Sequence, residues 1–544
     1  MKFIFVSGGV ISGVGKGLAT ASIALLLKSR GFRVAPIKCD PYINVDAGTM
    51  NPIVHGEVFV LDDGMETDQD LGHYERFLNQ DMSRVNYMTT GQVYSTVIAR
   101  ERAFDFEGQC VEAVPHIPEE IIRRIEYAGK ANKADIVIIE IGGTVGEYQN
   151  ILYLEANRLM KLRYGDNVLH IHISYLPTPP SLGEMKSKPA QMSVKLLNSY
   201  GIQPDFLIAR SEKPLDRLRR EKLAIFCNVP PQNIISAPDT SLVYDIPLNL
   251  EKENLASKIL KKLKLRGKRS DLVSWHSFVN QAKDTRSEVK IGIVGKYFAT
   301  GDFTLTDAYI SVIEAIKHAG VRLRVKPNVF WIDASKVERG AEILAGYDGI
   351  IVPGGFGSRD VEGKILSIQY SREKKIPYLG LCFGMQLSVV EYARAVLGWK
   401  KANSTEIDLK TPYPVIHIMP EQERRLLKRE YGGTMRLGEW PCVLRKGSKV
   451  LQFYKKFGSK GQIWERHRHR YEFNNKFLQD FFSNGMVISG TTPDKKLAEI
   501  IELRDHPFFV GVQFHPELKS RPLRPHPIFV GFIEAAFKNS TPSR

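Results

Sequence analysis

The chain opens with KFIFVSGGVISGVGKG, residues 2–17, and this stretch indicates the fold of its first half. The apolar run at 2–6 is typical of a buried strand, and the helix-forming residues 18–28 follow the glycines. Backbone N–H groups freed by glycine, a helix N-terminus and Lys16 all attract phosphate oxygens. The order strand, glycine loop, lysine, helix therefore predicts a phosphate-binding loop, the alternative being a glycine-rich turn without a ligand.

The loop departs from the standard phosphate-loop spacing. Five residues separate Gly9 from Gly15, and Gly17 stands where a hydroxyl residue would ligate Mg²⁺. The metal must then be held elsewhere, since Mg²⁺ uses one or two carboxylates together with phosphate oxygens. Glu140 is well placed, because ligands of open α/β sheets sit at the carboxyl ends of strands. Further candidate carboxylates are Asp62, Asp63, Glu66, Asp68 and Asp70, although an acidic run of this kind is by itself typical of a solvated loop.

Strand-like and helix-like segments alternate along the chain, which predicts the α/β fold class with mostly parallel sheets. Strands are predicted at 2–6, 33–39, 135–141, 168–174 and 205–209, and a second series at 289–294, 349–352, 377–381 and 508–514, with a helix at 308–318. A chain of 544 residues is too long for a single core. We predict an N-terminal domain at 1–266, a linker at 267–289 and a C-terminal domain at 290–544.

The composition excludes several classes of protein. With 43% hydrophobic and 25% charged residues, the chain is neither collagen-like nor largely disordered. Its apolar runs are shorter than the roughly 18 residues of a membrane span, and its first residues lack the core of a signal peptide. The five cysteines form no Cys-x-x-Cys pair, so neither a disulfide framework nor a zinc site is indicated. We expect a cytoplasmic protein that is not integral to a membrane.

The net charge of +16 favours anionic partners. Nucleic acid is not expected, because no signature of an RNA- or DNA-binding module is present. The segment between 251 and 290 is rich in cations and lacks strand signals, and it is interpreted as a linker whose charges mark a solvated helix end or a binding patch. Those cations are Lys258, Lys261, Lys262, Lys264, Arg266, Lys268 and Arg269.

A second chemical motif lies at 378–386, where Gly380 and Gly384 flank Cys382. Glycines around a central residue allow a tight turn from a strand into a helix, and that turn exposes the central side chain at a helix N-terminus. Such a position stabilises a thiolate. The pattern predicts a nucleophilic cysteine, the alternative being a buried structural one.

Two further residues fit a cysteine nucleophile. His515 and Glu517 are two positions apart, and Pro516 favours an extended backbone, so their side chains project to the same side. A carboxylate can then orient the imidazole that activates the thiol. Backbone N–H groups at Phe383 and in the turn 353–357 are candidate oxyanion donors.

These motifs together resemble a known family. Gly-x-Cys-x-Gly-x-Gln with a distant His-Pro-Glu is similar to class I glutamine amidotransferases, and the first half makes the chain resemble the CTP synthase family. Supporting blocks include KCDPYINVD at 38–46, EIGGTVG at 140–146, KSKPAQ at 186–191 and ERHRHRYE at 465–472. The resemblance runs from the first strand nearly to the C-terminus.

The resemblance implies an ATP-dependent ligase that aminates UTP to CTP through a 4-phosphorylated intermediate. The N-terminal domain would be the synthetase domain, with Asp70 and Glu140 holding Mg²⁺. The implied ATP contacts are Gly13, Val14, Gly15, Lys16, Gly17, Leu18, Lys38 and Asp70. The implied contacts of UTP, and of CTP as feedback inhibitor, are Ser12, Glu147, Tyr148, Gln149, Lys186, Ser187, Lys188, Pro189, Ala190, Gln191 and Lys222, with 147–149 nearer CTP.

For the C-terminal domain, the resemblance implies release of ammonia from glutamine through a cysteinyl thioester at Cys382. His515 would move protons, and Glu517 would orient it. The implied glutamine contacts are Gly355, Phe383, Gly384, Met385, Gln386, Glu406 and Arg470. The resemblance also implies an internal ammonia channel, GTP as an allosteric activator and nucleotide-promoted homotetramers, and it leaves filament formation open.

Two alternatives stay open from the residues alone. One is an amidotransferase of corrinoid synthesis, which would share the two kinds of domain but need no uridine site. The other is a nonenzymatic assembly protein that polymerises on nucleotide binding. The blocks at 40–46 and 186–191 speak for UTP, and retention of the nucleophile and the metal carboxylates speaks for an enzyme.

Overall fold

The structure is a computed structural model of the chain, and it describes residues 1–51, 55–285, 287–295, 299–300, 303–304, 307–358, 360–428 and 431–540. Two compact units are found, and each is described by itself. One comprises Met1–Asp46 with Asp70–Val279, and the other Ala47–Gln69 with Asn280–Arg544. We call them the N-terminal unit and the C-terminal unit. The segment 47–69 thus folds with the C-terminal unit although it lies early in the sequence.

Regular elements of the first 283 residues alternate along the chain. The strands are β1 (Lys2–Gly9), β2 (Val34–Asp40), β3 (Phe59–Val60), β4 (Glu66–Thr67), β5 (Tyr87–Thr89), β6 (Ile136–Ile141), β7 (Val168–Tyr175), β8 (Phe206–Ser211) and β9 (Ile234–Pro238). The helices are α1 (Lys16–Ser29), α2 (Asp70–Leu78), α3 (Thr90–Arg102), α4 (Ala113–Ala131), α5 (Ile151–Tyr164), α6 (Lys188–Ser199), α7 (Arg217–Cys227), α8 (Ile246–Lys252), α9 (Leu255–Lys262) and α10 (Val273–Lys283).

The N-terminal unit is built on a seven-stranded sheet in the order β5-β2-β6-β1-β7-β8-β9. Every neighbouring pair in this sheet is parallel. Strand β1 is the central strand of this sheet, with β6 on one side and β7 on the other. The five predicted strands are confirmed within a few residues, and β5 and β9 were not predicted.

The C-terminal unit continues the chain with further strands and helices. The strands are β10 (Ser287–Gly295), β11 (Ala299–Thr300), β12 (Phe303–Thr304), β13 (Val325–Asp333), β14 (Gly349–Val352), β15 (Tyr378–Leu381), β16 (Ala402–Ser404), β17 (Tyr413–Ile418), β18 (Arg436–Leu444), β19 (Gln462–His469), β20 (Tyr471–Phe473), β21 (Met486–Thr491), β22 (Ala498–Leu503) and β23 (Phe509–Val512). The helices are α11 (Ile310–Leu323), α12 (Ala334–Val337), α13 (Val361–Glu373), α14 (Phe383–Ala395), α15 (Pro420–Leu427), α16 (Lys449–Lys455), α17 (Leu478–Ser483) and α18 (Pro527–Ser540).

The main sheet of this unit has nine strands in the order β13-β10-β14-β15-β23-β22-β21-β18-β19. The pairs from β13 to β23 are parallel, whereas those from β23 to β19 are antiparallel. The sheet is therefore half parallel, which corrects the expectation of a mostly parallel sheet for this half. The α/β class itself is confirmed for both units.

The region interpreted as a linker is largely helical. Helices α9 and α10 occupy much of 251–290, and Trp275 of α10 is buried with its indole N–H donating to the carbonyl of Tyr244 at 2.9 Å. Arg286 lies outside the described residues. The boundaries 1–266, 267–289 and 290–544 stay a prediction.

None of the helices in the described part of the chain combines the length and the apolar character that a bilayer-spanning helix needs.

Candidate functional site

The phosphate loop joins the central strand β1 to helix α1 in the N-terminal unit. Gly13 and Gly15 have φ values of 70° and 87°, a left-handed conformation that glycine adopts without steric cost. All residues of the first turn of α1 are described, and none of them is acidic. The backbone N–H groups and the positive end of the helix dipole are therefore available to an anion.

Gly17 has a structural reason for replacing the usual hydroxyl residue. A Cβ atom at this position would lie 1.8 Å from Oδ1 of Asp70, so no side chain fits there. The carboxylate of Asp70, the first residue of α2, fills the space that a Ser or Thr side chain would take. An oxygen donor is thus present at the start of α1, supplied by another segment of the chain.

Two lysines and two carboxylates meet near the carboxyl ends of β2 and β6. Nζ of Lys38 lies 3.0 Å from Oε1 of Glu140 and also contacts the carboxylate of Asp70. Burial and the charge of Asp70 raise the pKa of Glu140 to about 7, whereas Lys38, acting against burial, lowers the pKa of Asp70. Nζ of Lys16 donates to the carbonyl of Gly143 at 2.8 Å, and burial together with the charge of Lys38 lowers its pKa. This buried set of opposite charges is suited to a polyphosphate and a divalent cation.

A cavity of about 220 Å³ borders the phosphate loop at Gly15 and Leu18. Its other walls come from β7, β8, the end of β9 and helix α8, and they include Arg210, Asp239 and Asn249. Sequence reasoning missed these residues. The available signal was their position after the predicted strand at 205–209, since ligands of parallel sheets lie beyond the carboxyl ends of strands.

The residues predicted to contact the pyrimidine nucleotide fall on separate loops and helices of the N-terminal unit. Glu147 lies close to the loop that follows β6, because its Oε2 is 2.6 Å from where a Cβ of Gly143 would be. The Nε2 of Gln191 donates to Oγ of Ser187 at 3.0 Å at the start of α6, and Ala190 is buried beside them. The remaining predicted residues are exposed or partly exposed: Ser12, Tyr148, Gln149, Lys186, Lys188, Pro189 and Lys222.

Cys382 sits at the turn between β15 and α14 in the C-terminal unit. Its φ of 48° is a strained value for a residue other than glycine, and it precedes the first residue of the helix. Its backbone N–H donates to the carbonyl of Val512 at 2.7 Å. At Gly384 a Cβ would lie 2.0 Å from the carbonyl oxygen of Val352, so the turn requires glycine there. The strand-turn-helix geometry predicted from the glycines is present.

His515 and Glu517 form a hydrogen-bonded pair after β23. Nδ1 of His515 lies 2.7 Å from Oε1 of Glu517, and Nε2 of His515 is buried without a hydrogen-bond partner among the described residues. Burial alone lowers the pKa of His515, but the charges of Glu517 and Cys382 outweigh burial and raise it to about 10. The turn 353–357 lies against both groups, because a Cβ on Gly354 would be 2.9 Å from the His515 ring and 3.8 Å from Cβ of Cys382.

A cavity of about 720 Å³ opens beside Cys382. Four of the predicted glutamine contacts line it together with the cysteine: Gly355, Gln386, Glu406 and Arg470. Phe383 and Met385 instead belong to a hydrophobic core cluster, so only their backbones could face a ligand. Residues that the sequence did not single out complete the lining: Gly48, Thr49, Phe356, Tyr431, Met435, His469 and Tyr471. No sequence pattern indicated that the early segment at 48–49 lines a cavity 330 residues further along the chain.

The two charged residues of this cavity are held by fixed partners. Oε1 of Glu406 accepts from the backbone N–H of Gly357 at 2.7 Å. The guanidinium of Arg470 donates to Gln422 at 2.5 Å and to the hydroxyl of Thr434 at 2.9 Å. Burial lowers the pKa of Arg470, but a guanidinium stays charged at any physiological pH. The cavity therefore presents one anion and one cation, as binding of a free amino acid requires.

A second cavity of about 120 Å³ lies on another side of the nucleophile. It is bordered by Cys382, His515 and Glu517 as well as by Glu57 of the segment 47–69. In the same segment, Glu66 accepts from Nε of Arg468 at 2.8 Å. The segment thus contributes to both cavities that meet at Cys382.

The fold and the site define a class: an α/β phosphate-loop unit joined to a glutamine amidotransferase of class I. Comparison with family models agrees. Residues 2–265 match the model described as CTP synthase N-terminus, and residues 304–535 match glutamine amidotransferase class-I.

Relatives match along nearly the whole chain. A CTP synthase of Carboxydothermus hydrogenoformans is 52% identical over 542 residues, covering 99% of each chain. One from Caldanaerobacter subterraneus is 50% identical over 537 residues, and one from Bacillus subtilis is 49% identical over 538 residues, each covering 98% of both chains. Among solved structures, the glutaminase domain of Trypanosoma brucei CTPS with bound acivicin is 35% identical, covers 46% of this chain and 94% of that chain, and has a TM-score of 0.42.

The chain belongs to the CTP synthase family. It is a glutamine-hydrolysing ligase that uses ATP to aminate UTP to CTP. The corrinoid-type amidotransferase and the nonenzymatic assembly protein are not favoured, because the N-terminal half matches the CTP synthase model rather than merely a phosphate-loop domain.

Proposed function

We propose that Cys382 is the nucleophile that releases ammonia from glutamine. Its sulfur attacks the amide carbon, the C–N bond breaks, and ammonia leaves with a proton donated by His515. Water then attacks the thioester, returns a proton to His515 and releases glutamate, which regenerates the thiolate. Glu517 orients the imidazole throughout, and the backbone N–H groups of Phe383 and of the turn 353–357 stabilise the oxyanion.

One observation carries this proposal. The hydrogen-bonded pair His515–Glu517, whose Nδ1 to Oε1 distance is 2.7 Å, and Cys382 at its strained turn border the same cavity. A structural cysteine needs neither the strained turn nor a charged imidazole beside it. The arrangement supports a nucleophile, a proton carrier and an orienting carboxylate.

The cavity of about 720 Å³ is proposed to hold glutamine. Arg470 would bind the α-carboxylate and Glu406 the α-ammonium, so that the side-chain amide points to Cys382. Gly355 and Gln386 line this cavity, and the backbone of Phe383, Gly384 and Met385 would complete the contacts to glutamine.

Arg470→Lys tests this assignment. The planar guanidinium can bind a carboxylate with two parallel hydrogen bonds, whereas an ammonium cannot, and a hydrogen bond to a charged group is worth about 1.5–3 kcal/mol. We expect the KM for glutamine to rise by roughly 10- to 100-fold while CTP formation from ammonia stays unchanged. Steady-state kinetics with each nitrogen source measure both.

The matched control is Arg445→Lys, since Arg445 is exposed on the same unit and stacks on Phe482 at 4.9 Å. An unchanged KM for glutamine in the Arg470 variant would show that Arg470 does not bind glutamine.

Glu517→Gln tests the role of the carboxylate. Without the charge of Glu517, burial is opposed by Cys382 alone, and the pKa of His515 falls below its wild-type value of about 10. The wild-type imidazole stays protonated through the neutral range and loses its proton only as pH rises through 10, whereas the variant loses it at lower pH. We expect glutamine hydrolysis to fall on the order of 10²-fold, the size of a general acid–base contribution.

NMR titration of labelled histidines gives the midpoint of His515, assigned with a His515→Gln sample, and Glu373→Gln, at an exposed position of α13, is the control. If the midpoint of His515 does not move in Glu517→Gln, the carboxylate does not set its charge.

For the N-terminal unit, we propose that UTP is phosphorylated at its 4-oxygen by ATP and that ammonia then displaces this phosphate. The 4-oxygen attacks the γ-phosphorus, ADP leaves, ammonia adds at C4, and phosphate departs. Lys16 and Lys38 would stabilise the transferring phosphoryl group, with Gly13 to Leu18 around the phosphates. The two buried ammonium groups support this assignment.

The adenine of ATP is proposed to occupy the cavity of about 220 Å³ beside the loop. Ile173 and Ile208 offer apolar surface, and Arg210 at the rim could stack on a purine face. The cavity adjoins Gly15, so a purine there would lie next to the phosphate loop.

Mg²⁺ is proposed to be held by Asp70 and Glu140. These residues fit the ion: their carboxylates converge on Nζ of Lys38, Glu140 is fully buried, and oxygen donors are what Mg²⁺ requires. When bound with ATP, the ion supplies charge neutralisation for the phosphates. Lys38 contacts both carboxylates and holds them close to each other.

UTP is proposed to bind Ser12, the loop and helix start at 186–191, and Lys222, with CTP binding there as feedback inhibitor and contacting Glu147, Tyr148 and Gln149. The cations Lys186, Lys188 and Lys222 suit a triphosphate. We further propose, from family membership, that GTP activates glutamine hydrolysis and that nucleotides promote a homotetramer.

A further inference from the structure

Gln513 is the side chain whose polar end lies beside the nucleophile without an assigned role. The pairing of two parallel strands places it there. Leu381, the last residue of β15, pairs with Val512, the last residue of β23, and Cys382 and Gln513 are the next residues after these strands. Gln513 is 1% exposed, and its Nε2 lies 3.7 Å from Sγ of Cys382. This distance is within hydrogen-bonding range for sulfur.

The orientation of the Gln513 amide is fixed by a chain of hydrogen bonds. Nε2 of Gln386 donates to the carbonyl of Tyr471 at 2.8 Å, and a carbonyl can only accept, so the Gln386 amide cannot be flipped. The same Nε2 lies 3.3 Å from Oε1 of Gln513, which must therefore be the acceptor. It follows that Gln513 turns its NH₂ group, and not its oxygen, toward Cys382.

The sulfur needs such a donor. The backbone carbonyl of Arg468 also lies 3.7 Å from Sγ. A thiol can donate to that carbonyl, but a thiolate is repelled by it. A hydrogen bond from a buried amide favours the thiolate and offsets the repulsion, because hydrogen bonding to the charged form stabilises it.

Charged groups from several elements also lie near Cys382 or pack on residues next to it. His515 with Glu517 follows β23, the guanidinium of Arg468 stacks on Phe356 at 5.2 Å, and the ammonium of Lys364 on α13 stacks on Phe383 at 5.3 Å. The cavities at Cys382 add Glu57, Glu406 and Arg470. These groups are common to the variants below, so differences between variants report the amide of Gln513.

We propose that Gln513 is a catalytic hydrogen-bond donor that stabilises the thiolate of Cys382 and that Gln386 orients it. This inference rests on the proposed role of Cys382 as nucleophile. It assigns Gln386 a second task besides bordering the glutamine cavity. It also gives a chemical task to the buried amide two positions before His515.

The test compares Gln513→Met, which keeps size and removes the donor, with Gln513→Glu, which places a carboxylate against the sulfur. Gln462→Met, at an exposed position of β19, is the matched control. The rate of Cys382 alkylation by iodoacetamide is measured against pH, with the labelled peptide identified by mass spectrometry. Glutamine hydrolysis and CTP formation from ammonia are measured on the same samples.

For Gln513→Met we expect the midpoint of the alkylation profile to move up by about one pH unit and kcat for glutamine hydrolysis to fall about tenfold, the size of one hydrogen bond to a charged group. Gln513→Glu should shift both further. The KM for glutamine and CTP formation from ammonia should stay at wild-type values, which excludes a general folding defect.

The inference is overturned if Gln513→Met leaves both the alkylation midpoint and kcat at the values of Gln462→Met, or if the KM for glutamine and the ammonia reaction change in parallel with kcat. Failure of the proposed function looks different. In that case the Cys382→Ala variant would keep hydrolysing glutamine, whatever the behaviour of Gln513.

Discussion

Cys382→Ala should abolish CTP formation from glutamine and leave CTP formation from ammonia intact. Removing a covalent nucleophile that works with a proton carrier costs at least about 10⁴-fold, because His515 and the oxyanion donors have no alternative sulfur to act on. The ammonia reaction needs only the N-terminal unit, so its rate should stay within about twofold of the wild type. Assays with UTP, ATP and Mg²⁺, supplied with either glutamine or ammonium chloride, measure both activities.

Cys110→Ala is the matched control, since Cys110 is the exposed cysteine of the described residues and lies in the N-terminal unit. Alanine keeps a Cβ, so Cys382→Ala leaves the backbone strain of the positive φ at this buried turn almost unchanged. Retention of glutamine-dependent activity above about 1% would mean that another group attacks the amide, since the nucleophile effect is far larger.

Lys16→Ala should strongly reduce CTP formation and leave glutamine hydrolysis intact. Loss of the ammonium at the phosphate loop removes a full charge from the site of phosphoryl transfer, and groups of this kind contribute about 10³- to 10⁵-fold. CTP formation from both glutamine and ammonia should therefore fall by at least about 10³-fold. Glutamine hydrolysis measured without nucleotides should be unchanged, because the C-terminal unit contains all the residues proposed for it.

Lys28→Ala provides the comparison, as Lys28 lies exposed on the same helix α1 and donates to the carbonyl of Leu78. A Lys16 variant that still makes CTP from ammonia at the wild-type rate would show that Lys16 does not act on the transferring phosphate. Cys382→Ala and Lys16→Ala together separate glutamine hydrolysis from phosphoryl transfer, because each variant removes one of these two reactions.

Much of the fold could be predicted from the sequence because buried parallel strands are continuous apolar runs. IVIIEI at β6 and GIIV at β14 are examples, and both strands were placed within one residue. The glycines located the two turns that carry chemistry, because few other residues fit a left-handed or crowded backbone.

The antiparallel part of the C-terminal sheet was not predicted. Strand β19, QIWERHRH, reads as a charged loop, yet five of its eight residues are buried. Two of its arginines have specific partners: Arg466 donates to Asp62 at 2.6 Å and Arg468 to Glu66 at 2.8 Å. Partners 400 residues away in sequence leave no local signal, so the ion pairs of Asp62 and Glu66 with this strand were not predicted.

The candidate site was predicted unevenly for the same reason. Cys382, His515 and Glu517 follow from local spacing, and the structure brings them to one cavity. Gln513 was missed although it lies two residues before His515, because its role depends on β15 pairing with β23. Phe383 and Met385 fit the motif by position, but their side chains serve the core.

Isotope transfer tests the central claim most directly, which is that nitrogen released at Cys382 becomes the 4-amino group of CTP. The protein is given UTP, ATP, Mg²⁺ and glutamine labelled with ¹⁵N at its side-chain amide, in the presence of unlabelled ammonium at a concentration too low to support synthesis alone. Mass spectrometry of the product should show CTP carrying one ¹⁵N in the base, and the Cys382→Ala variant should form none. Hydrolysis of the labelled glutamine without ¹⁵N in CTP, or labelled CTP from the variant, would contradict the account.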